Sequence, residues 1–302
     1  MGFVIPDLPI FMQQLINSIS VGCLYALIAV GYTMVYGILR LINFAHGDIV
    51  MMAAYFIYFG IAVFNLPWQI SFIVAVIMTA ILGVLIEKVA YRPLRDAPKT
   101  SVLISAIGVS YLLENLATYL FSGKPKSFPP IGTAADTIQI KGIFIQKASL
   151  ITPLVVIVLV GILLFVINKT KLGMAMRAVS KDYEIARVMG IKIDKVISYT
   201  FIIGTVMAAV GALLWGIKYP KVEPMMGVMP GLKCFIAAVI GGIGNIKGAT
   251  LGGFILGVGE GLIITFLPEL SGYRDAFAFI FLIIILLVRP NGLLGEKVTE
   301  KV

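Results

Sequence analysis

Apolar runs long enough to cross a bilayer as helices, roughly 20 residues each, recur near residues 11–37, 47–66, 69–90, 101–121, 149–168, 195–217, 249–267 and 275–288, with a shorter one at 233–243. Polar positions are confined to the stretches between them. This pattern predicts an all-α polytopic membrane protein of about eight or nine transmembrane helices, some of them short or broken. One segment alternates at the strand period instead: residues 137–146, interrupted at Lys141-Gly142, which predicts a small β-hairpin within the loop 122–148.

Composition agrees with the pattern. Hydrophobic residues make up 60% of the chain and charged residues 13%, with a mean hydropathy of +1.02, whereas soluble domains have about 45–50% and 25%. Residues 1–302 are expected to form a single transmembrane domain. The first basic residue is Arg40 and no small-residue cleavage site follows the first run, so a cleaved signal peptide is not expected. The net charge of +9 lies in a few short loops, as the positive-inside bias produces, and needs no nucleic-acid partner. Cys23 and Cys234 both lie in apolar runs and offer neither a disulfide framework nor metal spacing.

Charge also orients the chain. The stretch 87–99 carries four Lys/Arg and residues 169–195 carry seven, so both are expected on the cytoplasmic face. Two spans then separate them, with 122–148 as an external loop, although its four lysines leave an internal position open. Counting outward from these loops puts the N-terminus outside and the tail from Arg289 inside.

The loop 169–195 is the longest piece that cannot sit in hydrocarbon. Ser180 as N-cap, Asp182 and Glu184 in a first turn, Arg187 in a last turn and Gly190 as a left-handed C′ residue predict a short surface helix. Ile185, Ala186, Val188 and Met189 are too few to span anything. The helix is expected to dock a partner through Arg177, Ala178, Asp182, Tyr183, Glu184, Ala186, Arg187 and Gly190, or else to lie at the interface as a plain anchor.

Two places interrupt the apolar pattern: residues 37–48, with Arg40, Asn43, the single histidine His46, Gly47 and Asp48, and the glycine-rich residues 241–250, with Asn245 and Lys247. Non-helical backbone at membrane depth occurs only where protein or a water-filled cavity satisfies it, and paired interruptions point to a pathway of broken helices. The other reading is a pair of tight turns at the inner surface. Two acids lie inside apolar runs. Glu114 shares a helical face with Ser110 and Thr118, and Glu260 sits among Gly252, Gly253, Gly257 and Gly261. Each is a candidate for the pathway or for a structural bond between helices. The glycines themselves form overlapping small-xxx-small patterns for close helix packing, within this chain or against a second one.

Taken together, INFAHGD at 42–48, LGMAMRAVSKDYEIARVMGI at 172–191, GGIGNIKGATLGG at 241–253 and VRPNGLLG at 288–295 resemble the H-type permease subunit of high-affinity branched-chain amino acid ABC importers, in order and along essentially the whole chain. The resemblance implies a multi-pass subunit of a bacterial or archaeal inner membrane. It also implies a homologous second permease, two ATPase subunits and an extracytoplasmic binding protein for leucine, isoleucine and valine. The coupling loop departs from other ABC importers in having Glu184-Ile185-Ala186 where an E-A-A triplet is usual. Independently, no G-x-x-x-x-G-K-[ST] occurs, so no cofactor is expected in this chain and ATP with its Mg belongs to partners. A zwitterion with an apolar tail calls for a polar strip beside apolar walls, for which Met51, Met52 and Phe56 are candidates. A stand-alone proton- or sodium-coupled transporter using Glu114 or Glu260 is the alternative. One His and two Cys without a metal-ligand cluster leave an intramembrane enzyme little to work with.

Overall fold

A computed structural model describes residues 6–95, 97–140 and 142–295; Lys141, at the expected hairpin turn, and the tail beyond Gly295 lie outside them. The bundle is built around its first helix. α1 (Leu8–Leu39) is 32 residues long, and from Ser20 to Val35 every residue is buried. A helix apolar on all sides and rich in small residues can be surrounded by others at close range, and α1 touches α5 (Lys147–Lys169), α8 (Ile193–Lys218), α9 (Val228–Gly241) and α10 (Ile246–Phe266).

The remaining helices are α2 (His46–Ala62), α3 (Trp68–Ile86), α4 (Lys99–Phe121), α6 (Lys171–Lys181), α7 (Tyr183–Val188) and α11 (Arg274–Val288). α3 runs on through a π-helical turn, Glu87–Tyr91, into a 3-10 turn, Arg92–Leu94. Among the described residues seven helical segments are long and apolar enough to cross a membrane, and α2 and α9 are shorter apolar helices. The expected count of about eight or nine apolar segments is thereby matched, two of them being incomplete spans. At 1.5 Å per residue α2 is about 26 Å long and α9 about 21 Å, less than the roughly 30 Å of a hydrocarbon core.

The two ends of the bundle differ. At one, here the hairpin end, β2 (Thr137–Ile140) pairs antiparallel with β3 (Ile143–Gln146), as the alternation predicts. Beside it β1 (Lys126–Ser127) pairs with β4 (Lys221–Val222). Gln146 donates to the Ile217 carbonyl near the end of α8 at 3.2 Å. At the opposite, loop end lie α6 and α7. Tyr183 Oη donates to the Ile38 carbonyl near the end of α1 at 2.5 Å, and Arg40 to the Ser180 carbonyl at 3.4 Å.

The glycine ladder serves the chain's own fold. Gly253, Gly257 and Gly261 lie against Ala26, Gly22 and Ser18 of α1, and Gly248 and Gly252 against Gly241 and Ala237 of α9. With no hydrophobic effect to bring helices together inside a membrane, such backbone proximity supplies the van der Waals contact.

Candidate functional site

Between α1 and α2 the chain leaves helical geometry for residues 40–45. Arg40, at φ 53°, turns the backbone left-handed, and its N–H closes on the Tyr36 carbonyl at 2.7 Å. The segment re-enters the bundle: the His46 ring packs against Gly31 and edge-on to Tyr32, about 12 Å back from the end of α1 at 1.5 Å per residue. α2 therefore starts well inside the protein. Asn43 helps hold the irregular backbone there, accepting from Tyr91 Oη at 2.8 Å.

α9 starts at the same place. Gly47 of α2 packs directly on Gly227 and Gly231, so the N-termini of the two short helices meet. Both short helices thus aim the positive ends of their dipoles at one point. A cavity of about 100 Å³ lies there, lined by Asp48 of α2 and by Ser110 and Glu114 of α4. Ser110 Oγ donates to Asp48 Oδ2 at 2.5 Å. Tyr32, Phe44 and Phe235 line it as well. Their rings are mutually packed, Tyr32 to Phe235 at 5.7 Å and Phe44 to Phe235 at 6.2 Å between centroids.

Of the residues expected along a pathway, Asp48 and Glu114 line this cavity, Gly47 makes its helix contact, and Asn43 and His46 hold the break beside it. Asn245, Lys247 and Glu260 are elsewhere. Asn245 caps α10, accepting from the Gly248 N–H at 3.1 Å and donating to the Leu294 carbonyl at 2.7 Å. The tail adds bonds from Leu293 N–H to Ile240 and Leu294 N–H to Gly241. Lys247 is exposed. The second interruption is thus a latched turn at the loop end, and only the first enters the bundle. Glu260 joins α9, α10 and α11: it pairs with Lys233 at 2.9 Å and Arg274 at 2.6 Å and accepts from Tyr25 Oη at 3.1 Å. Met51 and Met52 are core residues, and neither they nor Phe56 line the cavity, whose apolar walls are Phe44, Val228, Leu232 and Phe235. Sequence reasoning missed Tyr32, Phe44, Phe235, Gly227 and Gly231. Gly227-Val-Met-Pro-Gly231 is itself a small-xxx-small pattern and was the available signal.

The loop 169–195 holds two helices where one was expected. Ser180 lies inside α6 and donates to the Arg177 carbonyl at 2.9 Å, so the cap falls to Asp182, which accepts from the N–H groups of Glu184 and Ile185. Gly190, at φ +80°, ends α7 as expected. Ala186 does not face outward: it is 1% exposed and packs into the core, while Val188 is 88% and Met189 73% exposed. Arg187, Glu184 and Arg177 are exposed, Arg177 reaching the Ile167 carbonyl; Ala178, Asp182 and Tyr183 are half-buried. Burial pushes the Tyr183 phenol up. Next to this loop Glu87, fully buried, binds Arg92 and Arg95, and Arg95 pairs with Asp194 at 2.6 Å.

Residues 14–287 match the model of a family described as branched-chain amino acid transport system / permease component. The chain is 40% identical over 311 residues to the high-affinity branched-chain amino acid transport system permease protein BraD of Pseudomonas aeruginosa, covering 98% of this chain and 100% of that protein. It is 39% identical over 305 residues to the corresponding protein LivH of Escherichia coli, covering 97% and 98%. A third relative, a probable branched-chain amino acid transport permease protein LivH of Methanocaldococcus jannaschii, is 28% identical over 294 residues, covering 92% of this chain and 91% of that protein.

Proposed function

The chain belongs to the branched-chain amino acid transport system permease family, and from that premise we propose that it moves leucine, isoleucine and valine across the inner membrane of a bacterium or archaeon as one subunit of an ATP-driven importer. It is a multi-pass membrane permease, a transporter component and not an enzyme. The observation that carries the route is the cavity where the two short helices meet N-terminus to N-terminus within the bundle. Discontinuous helices of this kind form substrate sites in transporters.

In this reading the loop end faces the cytoplasm, in keeping with the cations of residues 87–99 and 169–195, and the hairpin end meets the extracytoplasmic binding protein. A homologous permease completes the membrane unit. Two ATPase subunits hold the ATP, for which this chain has no phosphate-cradling loop. Exposed Val188 and Met189, beside Arg187, form the apolar centre of a docking surface on α7.

The cavity of about 100 Å³ is smaller than the ~150 Å³ that admits benzene, so passage of leucine requires it to widen. The loop is tied to the parts that must move. Tyr183 and Ser180 hold Ile38 and Arg40 at the start of the break, and Phe44 of that break lines the cavity toward the loop end. Movement of α6 and α7 by the ATPases shifts Phe44 away from Phe235 and opens the cytoplasmic side.

Reconstitution with the partner subunits tests this. Leucine uptake into proteoliposomes is expected to need ATP, and concentrative uptake by the chain alone under a proton or sodium gradient would overturn the reading in favour of a secondary transporter. Val188→Asp is expected to lower recovery of the ATPase subunits and stimulated ATP hydrolysis together, because it would bury an unpaired carboxylate in the apolar centre of the contact. Unchanged recovery would remove α7 as the docking site. Cysteines at Ser127 and Lys247, both exposed and at opposite ends of the bundle, should label from opposite faces of intact cells, Ser127 from outside. Labelling of both from one face would cancel the orientation.

A further inference from the structure

The four buried acids among the described residues are treated in two ways. Glu87 and Glu260 each have two basic partners, Arg92 with Arg95 and Lys233 with Arg274. Asp48 has none. It is 2% exposed, Ser110 occupies its Oδ2, and Oδ1 has no hydrogen-bond partner among the described residues. Glu114 lines the same cavity, whose lining includes no Lys, Arg or His. Tyr32, also 2% exposed, lines it with a hydroxyl that has no hydrogen-bond partner among the described residues.

Two carboxyl groups line this cavity without a basic side chain, and the two helix starts supply only about half a positive charge each, so a cationic ligand group is favoured there, because a buried carboxylate without full compensation is costly. The other walls say what carries that charge. Phe44, Val228, Leu232 and Phe235 are apolar or aromatic, which suits a cation attached to a hydrocarbon tail. A bare ion would need a fuller shell of oxygens, and no group of three or more His, Cys, Asp or Glu able to hold a metal occurs among the described residues.

We propose that this cavity recognises the primary ammonium group of the transported amino acid. Asp48 Oδ1 accepts one N–H, the Tyr32 hydroxyl oxygen accepts a second, Ser110 fixes the Asp48 carboxyl in place, and Glu114 adds negative potential. The aliphatic tail lies on the Phe44–Phe235 side. The proposal rests on the reading of the chain as a branched-chain amino acid permease, and it makes the passage selective by the amine.

The test uses the chain assembled with its permease and ATPase partners, without the binding protein, in lipid nanodiscs with ATP, and saturation-transfer NMR with three probes: leucine, 3-methylbutylamine, which keeps the amine and tail, and 4-methylpentanoate, which keeps the carboxylate and tail. Leucine and the amine are expected to bind and the carboxylate not to. Asp48→Asn is expected to weaken amine binding about tenfold or more, the worth of a hydrogen bond to a charged group. Ser110→Ala, which leaves the acid in place, should weaken it by a smaller factor, and Asp48→Glu should restore part of the loss. The thermal midpoint of each variant, measured alongside, shows that it is folded. Equal binding of 4-methylpentanoate, amine binding indifferent to Asp48→Asn in folded protein, no amine binding by the unsubstituted chain, or displacement of the amine by sodium at equal concentration would each overturn the proposal. Amine binding that follows Asp48, in a protein whose reconstituted complex fails to import leucine, would leave the ammonium site standing and sink the transport reading instead.

Discussion

Glu260→Ala is expected to destabilise the purified protein by about 3–5 kcal/mol, the cost of removing one partner of a buried ion pair. Lys233 is the reason. Its side chain is 8% exposed, Glu260 lies 2.9 Å away, and Arg274 approaches the other carboxylate oxygen at 2.6 Å. Without the acid, Lys233 keeps Asp275, at 2.7 Å and half exposed, and the face of the Tyr25 ring at 5.6 Å, and the contact that joins α9, α10 and α11 is gone. The measurement is the unfolding midpoint in detergent, with the double variant Lys233→Leu, Glu260→Leu as control. The double variant should recover much of the loss, since the remaining charges, Arg274 and Asp275, both reach solvent. A single variant as stable as the parent would show that the cluster does not hold the helices. A stable single variant that had lost transport would return Glu260 to the pathway.

Gly47→Val is expected to abolish leucine uptake by the assembled importer. A Cβ at this position would overlap the Gly227 carbonyl and press on Gly231 Cα, and neither atom can yield as a flexible side chain does. Overpacking a close contact costs about 1–3 kcal/mol, and the strain falls where α2, α9 and the cavity wall meet. Uptake in cells and the thermal midpoint, measured together, separate a displaced cavity from a lost fold. Gly161→Ala is the control, because a Cβ there meets nothing within 4 Å. Undiminished uptake in Gly47→Val would mean that the contact of the two helix starts has no part in the route.

Several features were legible before any coordinates because they depend on near neighbours in sequence. Helix spans follow from runs of apolar residues, since a bilayer leaves the backbone few other ways to satisfy its hydrogen bonds. The hairpin at 137–146 follows from alternation, and the left-handed stop at Gly190 from the absence of a Cβ. The family follows from four short motifs in order. Where local rules competed, the sequence was ambiguous. Ser180 was the expected cap, but Asp caps a helix as readily as Ser, and packing of Met176 and Val179 into the core carries α6 through Ser180 and leaves the cap to Asp182.

Local patterns along the chain are enough for the set of helices, their class and the membership of the family. Tertiary structure alone decided which polar groups meet. Asn43 and Asn245 each precede an apolar helix, yet one sits at depth against Tyr91 and the other in a turn latched to Leu294, because periodicity reports the face of a helix and not its depth. Glu114 and Glu260 look alike in sequence, each one acid in an apolar run, but Glu260 finds Lys233 and Arg274 whereas Glu114 faces a cavity with Asp48. Charge partners in a bundle come from helices distant in the chain, and their pairing is set by backbone approach at positions such as Gly47, Gly227 and Gly231, which only the assembled packing specifies.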